Sequence, residues 1–301
     1  EIAKSGKKVY LLDIEEQNGF YQALGQGIRI ARRMAREISD IQRTDVDFGK
    51  LTIGVKCGLS DATSGISGNP TVGYMLDALI DQGGTAFFSE TTEVIGAEEI
   101  VAKRCRNDEV KQKFLECVYR TENEAKSTGE DIRTINPIPA NIEAGITTLE
   151  EKSLGAIAKA GTRPINGVLR YAERPKESGL YFVDSWMSST SLFIGYAAAG
   201  ANMVIFQMGG GALPVDPPMP SVSTGLIAPI LYTTGNPKTY KRAGDEIDFN
   251  CGTIIEKKET ISQAGERLIQ HIQKVASGMY TKMETWNYQD PIEVFLKGPK
   301  L

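Results

Sequence analysis

The residues best suited to chemistry lie between Cys57 and Pro70, where the chain reads Cys-Gly-Leu-Ser-Asp-Ala-Thr-Ser-Gly-Ile-Ser-Gly-Asn-Pro. This loop carries a thiol, a carboxylate and four hydroxyl groups. It joins a predicted buried strand, Leu51–Val55, to a helix that Asn69 is predicted to cap, with Pro70 in the first turn. Free N–H groups and the positive end of a helix dipole suit a carboxylate or phosphate. The pattern predicts an anion-binding loop, with a ligand-free glycine-rich turn as the alternative.

His271 is the single histidine of the chain. It lies beside the apolar stripe of a predicted helix, Ile261–Ser277, and we interpret it as a packed, hydrogen-bonded residue without chemistry. A three-histidine metal site or a Ser-His-Asp triad is therefore disfavoured. Acid–base work must fall to carboxylates, lysines, tyrosines or thiols.

The composition is that of an ordinary globular protein, with 301 residues and a net charge of −4. That charge gives no indication of a nucleic-acid partner, and no apolar run is long enough to predict a membrane span. The first residues lack both an initiator methionine and a signal-peptide core, which indicates a cut fragment. The four cysteines form no Cys-x-x-Cys pair, which argues against zinc or a disulfide framework and favours the cytoplasm.

Apolar runs alternate with helical patterns along the chain, which predicts an α/β fold: a layered, mainly parallel sheet with flanking helices, Rossmann-like in organisation. The predicted strands are Lys8–Ile14, 51–55, 85–89, 180–184 and 203–207. The predicted helices are Tyr21–Ser39, Pro70–Gln82, Ile95–Arg104, Glu109–Lys126, Thr148–Ala160, Ser188–Ala199 and Ile261–Ser277. The segments Thr128–Ile146 and Gly209–Pro220 are predicted loops.

Polar residues follow four of these strands, at 57–61, 89–93, 184–185 and 207–211. Ligands of such sheets bind beyond the carboxyl ends of the strands, so we expect these segments to meet in one cleft. Glu90 is notable because it directly follows the apolar Ala86–Phe88. A solvated strand end is the alternative.

At this point the chain resembles the altronate and galactarate dehydratase family, whose large subunit or C-terminal region carries Cys-Gly-x-Ser-Asp-x-x-Ser-Gly-x-x-x-Asn-Pro. The resemblance covers roughly residues 50–280. The large subunit of sulfolactate sulfo-lyase is similar over the same stretch, so the resemblance selects no substrate. The further matching motifs are Ser89–Thr91, Gly96–Glu98, Arg104, Asn141, Gly145, Glu151–Gly155, Lys159, Asp248–Gly252 and Ala276–Gly278.

The resemblance implies a β-elimination, in which a proton leaves the carbon beside a carboxylate and hydroxide or sulfite leaves the next carbon. Such a reaction needs a base, and a cation or hydrogen-bond donors for the enediolate charge. The family implies a divalent metal as Lewis acid. Cys57 and Glu90 are the candidate ligands, since thiolate and carboxylate suit iron(II) or manganese. Simple packing of Cys57 below the loop is the alternative.

Asp61 and Lys152 are the candidates for proton transfer or carboxylate binding, and half of a structural ion pair is the alternative for either. Asn69 is explained equally well as a helix cap. The residues predicted to bind the substrate's hydroxyl and carboxylate groups are Ser60, Ser64, Asn69, Arg104, Gly209 and Gly210.

Where dehydratases of this family commonly carry Thr-Gly-Arg-Gly, this chain has Met208-Gly209-Gly210-Gly211. An arginine there could hold a carboxylate in a bidentate pair, and a glycine cannot. We therefore expect poor use of galactarate, a dicarboxylate, relative to altronate. Replacement of the arginine by Arg163 or Lys159 is the alternative.

Members of the family also bear a small N-terminal β-rich module, fused or as a separate small subunit, which contributes a histidine, and nothing in this chain resembles it. We interpret residues 1–48 as the remnant of a preceding α/β domain and 49–301 as the catalytic-type domain. The predicted function is metal-dependent dehydration of a sugar acid such as altronate to a 2-keto-3-deoxy acid, weak in this chain alone. A sulfolactate-type carbon–sulfur lyase subunit and a catalytically silent sugar-acid-binding domain are the alternatives. Assembly into a homo-oligomer is left open.

Overall fold

The apolar runs of the chain form one parallel sheet. The computed structural model describes residues 2–210 and 227–286. Within these residues seven strands all run parallel, in the order β3-β4-β2-β1-β5-β6-β7. The strands are β1 (Thr52–Gly58), β2 (Thr85–Phe88), β3 (Ile165–Arg170), β4 (Gly179–Asp184), β5 (Met203–Met208), β6 (Ile230–Thr234) and β7 (Phe249–Asn250).

The sheet is buried on both faces, because alternate residues of β2, β3, β4, β5 and β6 enter two different apolar cores. Ile53 and Val55 of β1 lie in one core, while Phe87 of β2 and Val204 and Phe206 of β5 lie in the other. This explains why the strands read as nearly continuous apolar runs. The predicted layered, parallel α/β fold is confirmed.

Helices of the larger unit cover these two faces, and α2 packs against α10. None of the described helices has the length and apolarity needed to span a membrane. The helices are α1 (Phe20–Ser39), α2 (Asn69–Asp81), α3 (Glu98–Ala102), α4 (Asp108–Ser127), α5 (Ile132–Ile135), α6 (Pro139–Glu143), α7 (Leu149–Ile157), α8 (Ser189–Ala199), α9 (Pro237–Ala243), α10 (Ile261–Ala276) and α11 (Lys282–Trp286). Short 3-10 turns lie at Ile2–Ser5, Phe48–Lys50, Thr91–Glu93 and Ala158–Ala160.

The chain divides into two compact units, Glu1–Val46 and Asp47–Leu301. In the first unit the predicted helix is present as α1, but Lys8–Ile14 is not a strand. A strand needs a partner ladder, and the described part of this unit provides none. The interpretation of residues 1–48 as a domain remnant stays a prediction.

Three other predictions are corrected within the larger unit. The helix expected at Ile95–Arg104 begins only at Glu98, because Gly96 takes a φ of 85° that an α-helix does not admit. The loop expected at Thr128–Ile146 contains α5, capped by the Asp131 carboxylate, and α6, which starts at Pro139. Strands β3, β6 and β7 were not predicted. Residues 211–220 of the predicted Gly209–Pro220 loop lie outside the described residues.

The segment from Cys57 to Pro70 is less loop-like than expected. Strand β1 extends to Gly58, and residues 62 and 63 are already helical. A π-helical turn, Ser64–Gly68, then leads directly into α2. Asn69 is therefore a helical residue, with φ −61° and ψ −44°, and its prediction as the helix cap is wrong.

Candidate active site

Asp61 starts the helical segment that follows β1. Its Oδ1 accepts hydrogen bonds from the backbone N–H of Ser64 (3.1 Å) and from Thr63 Oγ1 (2.6 Å), as an N-cap carboxylate does. Leu59, between strand and helix, has a φ of 49°, an uncommon conformation for a bulky residue. The chain thus turns sharply at the carboxyl end of β1.

Asp61 also joins the ends of three adjacent strands. Its Oδ2 accepts a hydrogen bond from Asn236 Nδ2 (2.7 Å), just after β6. A Cβ atom on Gly209, just after β5, would lie 2.8 Å from the Asp61 Cγ, so glycine is required for this approach. The donors that the structure places on Asp61 are neutral amides and hydroxyls, which favours an anchoring role over proton transfer.

A cavity of about 310 Å³ opens beside this turn. It lies at the small end of the volumes typical of ligand sites. Its walls come from the end of β1, the π-helical turn, the start of α2, and α7. Six of the predicted site residues line it: Cys57, Ser60, Asp61, Ser64, Asn69 and Lys152.

Glu90 is fully buried behind Cys57 and does not line this cavity. Its Oε1 accepts a hydrogen bond from Lys56 Nζ (2.8 Å), and its Oε2 accepts from the backbone N–H of Cys57 (3.2 Å) and from Lys159 Nζ. Its backbone is left-handed, with φ 76°. Glu90 therefore fixes the end of β1 from below.

Lys152 links this buried group to the cavity wall. Its Nζ lies 3.3 Å from Glu93 Oε1 and donates to Asn136 Oδ1 (2.7 Å). Lys159 Nζ lies 3.7 Å from Glu93 Oε2. We define the buried ion cluster as Lys56, Glu90, Glu93, Lys152 and Lys159; each of the five is at most 8% exposed.

The charges of the cluster support one another. Burial opposes ionisation of Glu93, but the neighbouring Lys152 and Lys159 outweigh it and hold the pKa of Glu93 below its usual range. For Lys159, the charges of Glu90 and Glu93 outweigh burial and raise the pKa. Burial, followed by the charge of Glu93, raises the pKa of Cys57. Cys57 is therefore a neutral thiol at neutral pH.

These contacts do not fit a metal site formed by Cys57 and Glu90. Both carboxylate oxygens of Glu90 are already bonded to lysine ammonium groups, which a cation would have to displace. Across residues 2–210 and 227–286, no three His, Cys, Asp or Glu side chains are grouped to hold a metal ion. The described chain does not complete a metal centre.

Two other predicted site elements lie away from the cavity. Arg104 Nη2 donates to the carbonyls of Ala160 (2.8 Å) and Arg163 (2.9 Å), so it clamps a turn instead of facing the cavity. Burial lowers the pKa of Arg104. Gly209 and Gly210 pack against Asp61 and do not line the cavity, and Gly211 lies outside the described residues.

Lys56 and Asn136 were not predicted as site residues, and Glu93 was expected only as part of the polar segment 89–93. One signal was available, since a lysine inside the apolar strand β1 requires a buried partner. His271 packs near the Phe249 ring, with centroids 5.9 Å apart. Its Nε2 has no hydrogen-bond partner among the described residues, and burial lowers its pKa.

The fold and site define an α/β protein with a small cavity, lined by both polar and apolar residues and backed by buried lysines and glutamates. The family model described as D-galactarate/Altronate dehydratase, C-terminal, matches residues 48–298. The chain belongs to this family, whose characterised relatives are lyases.

Three relatives illustrate the match. The chain is 34% identical to the (2R)-sulfolactate sulfo-lyase subunit beta of Chromohalobacter salexigens, over 96% of this chain and 72% of that protein. It is 33% identical to the galactarate dehydratase (L-threo-forming) of Escherichia coli, over 99% of this chain and 55% of that protein. It is 31% identical to the altronate dehydratase of Bacillus subtilis, over 91% of this chain and 53% of that protein. The chain thus spans about half the length of the dehydratases.

Proposed function

We propose that the chain is the C-terminal part of a hydro-lyase that removes water from a sugar acid such as altronate, giving a 2-keto-3-deoxy acid. The observation that carries the proposal is Lys152, a buried lysine that lines a small cavity together with the hydroxyl-bearing Ser60 and Ser64. Membership of a dehydratase family supports it.

The reaction breaks the C–H bond beside the carboxylate and the C–O bond of the next carbon. The C–H electron pair forms the C=C bond, and the leaving hydroxide takes up a proton to become water. The resulting enol then relaxes to the 2-keto acid. Negative charge develops on the carboxylate during proton loss, and a preorganised cation lowers the free energy of that state.

Lys152 is suited to this role because Glu93 and Asn136 hold its ammonium group in place before substrate binds. Ser60 and Ser64 offer hydroxyl groups in the same cavity. We assign Asp61 to anchoring the turn, since both its oxygens already accept hydrogen bonds. Iron(II) or manganese stays a prediction for the complete enzyme, testable by loss of activity with a chelator and its recovery with either metal.

The proposal also includes a protein partner for this chain and the cellular compartment in which it works. One relative is named a subunit beta, and the dehydratases are about twice as long as this chain. These facts support a requirement for an N-terminal β-rich module or small subunit. None of Cys57, Cys105, Cys117 and Cys251, all of them described residues, forms a disulfide, which supports the reducing cytoplasm.

The test is an assay of the complete enzyme for 2-keto acid formed from altronate. Lys152→Met is expected to lower kcat/KM by about 100-fold or more, the scale of losing one electrostatic stabiliser. Lys113→Met, an exposed lysine on α4, is the matched control and should leave kcat/KM unchanged. Full activity of Lys152→Met, with circular dichroism showing a folded protein, would remove Lys152 from the mechanism.

Carbon–sulfur elimination from sulfolactate is the second candidate. It is favoured by the 34% identity to a sulfo-lyase subunit, of which this chain spans 72%. The same buried cation would stabilise the same carbanion, with sulfite as the leaving group. Sulfite release from sulfolactate, without 2-keto acid from altronate, would select this reaction.

A further inference from the structure

The side-chain amide of Asn69 has a fixed orientation at the edge of the cavity. Its Nδ2 donates to the carbonyl of Gly155 (2.9 Å) and to Cys57 Sγ (3.4 Å). Because a carbonyl only accepts hydrogen bonds, the nitrogen must face Gly155 and the oxygen must face the other way. Asn69 is 1% exposed and lines the cavity.

The opposite end of this amide, Oδ1, is buried and has no donor among the described residues. Buried acceptors are nearly always satisfied, so an unpaired one beside a cavity indicates a missing donor. The neighbouring polar groups are already engaged: Ser60 Oγ lies 3.3 Å from Cys57 Sγ, and Lys152 Nζ is bonded to Asn136. Oδ1 is thus an acceptor for which residues 2–210 and 227–286 supply no donor.

We propose that Asn69 Oδ1 accepts a hydrogen bond from a substrate hydroxyl and makes Asn69 a specificity-determining residue that selects hydroxylated acids over deoxy acids. The inference rests on the proposed function, because it takes the cavity as the site of a polyhydroxy acid. A hydroxyl is the donor that fits, since it can also accept from the serine hydroxyls lining the same cavity. A deoxy analogue would leave Oδ1 buried and unpaired.

The experiment measures binding by NMR titration of the isotope-labelled full chain. The probes are altronate and its single-deoxy analogues, one for each hydroxyl group. The variants are Asn69→Ala and, as a matched control, Thr121→Val, which removes a buried unpaired hydroxyl that does not line the cavity. The Asn69 side-chain resonance of the unmutated chain gives a second readout that needs no substitution.

We expect one deoxy analogue to bind about tenfold more weakly than altronate to the unmutated chain and to Thr121→Val. In Asn69→Ala this difference should disappear, and altronate should shift the Asn69 resonance of the unmutated chain. Equal discrimination in Asn69→Ala, or no binding of any probe, would overturn the inference. Dehydration of altronate by the complete enzyme is measured separately. The proposed function can therefore fail while Asn69 is still shown to bind a substrate hydroxyl, and the role of Asn69 can fail while dehydration is still observed.

Discussion

Glu90 combines two unfavourable features, a left-handed backbone and a fully buried carboxylate. Both are tolerated because the carboxylate holds Lys56, Lys159 and the Cys57 amide at once. Such an arrangement places the end of β1, with Cys57, in one fixed position. Glu90 was predicted to be a metal ligand, but these contacts explain it as the centre of the buried ion cluster.

Glu90→Gln is therefore expected to destabilise the chain by about 3–5 kcal/mol, because it leaves two buried ammonium groups with one carboxylate fewer. Glu177→Gln, which breaks the exposed Arg106–Glu177 pair, should leave the free energy of unfolding nearly unchanged, because solvent screens exposed ion pairs. Urea unfolding of both variants measures the difference. The double variant Glu90→Gln/Lys159→Met should recover part of the loss, and an unchanged unfolding midpoint for Glu90→Gln would contradict the prediction.

Asp248 is expected to make stability depend on pH. Burial raises its pKa to about 6, even though the backbone N–H groups of Lys282 and Tyr232 donate to the carboxylate. In the unfolded chain the carboxyl group ionises near pH 3.9. The folded state therefore keeps the Asp248 proton between about pH 4 and 6. The contribution of Asp248 to the free energy of unfolding falls as the pH rises through that window.

Asp248→Asn should abolish this part of the pH dependence. The difference in the free energy of unfolding, Asp248→Asn minus the unmutated chain, should increase by on the order of 3 kcal/mol between pH 4 and pH 7. Denaturant unfolding at several pH values measures it. If the free energy of unfolding changed with pH in the same way for Asp248→Asn and the unmutated chain, the prediction would be wrong. The Asp248 carboxyl group would then have the same pKa in the folded and unfolded states.

At the scale of elements, α2 lies unusually close to the chain that follows α7. A Cβ atom on Gly73 would lie 2.2 Å from the carbonyl oxygen of Ala158. Glycine weakens an isolated helix, so its presence within α2 is explained by this close approach. The contact brings Lys159 to the carboxyl end of β2, where it meets Glu90.

Gly73→Ala is accordingly expected to destabilise the chain by about 1–3 kcal/mol, although alanine favours a helix. Gly25→Ala in α1 is the control, since the nearest atom to its added Cβ is a side-chain nitrogen at 4.0 Å. It should leave the unfolding of the larger unit unchanged. Thermal or urea unfolding compares the two, and a stabilised Gly73→Ala would refute the close approach.

At the scale of the whole molecule, we expect the loop after β5 to influence which acid the complete enzyme accepts. Its sequence, Met208-Gly209-Gly210-Gly211, carries no arginine to pair with a second carboxylate. We expect the complete enzyme to use altronate at least tenfold better, in kcat/KM, than galactarate. Parallel assays of both acids measure this ratio, and a preference for galactarate would exclude the loop as the determinant.

Much of the larger unit was predictable, because its strands are buried on both faces and read as apolar runs. The helices α2, α4, α8 and α10 carry their own start and stop signals. The strand β3 was missed since Asn166 and Gly167 interrupt its apolar pattern, and β7 has only two residues. The error at Lys8–Ile14 has a different origin: its apolar pattern suits a strand, but a strand forms only when a neighbouring strand pairs with it.

The sequence by itself determined the parallel sheet and the polar segment that joins β1 to α2, because periodicity and residue type are local properties. It also placed Cys57, Asp61 and Glu90 at the ends of strands. Only the tertiary structure decided their environments. It determined which carboxylate oxygen meets which ammonium group and which side chains line the cavity, and it left Asn69 Oδ1 without a donor among the described residues. Those contacts join residues as far apart as Asp61 and Asn236, and pairing at such separations depends on packing that no local pattern encodes.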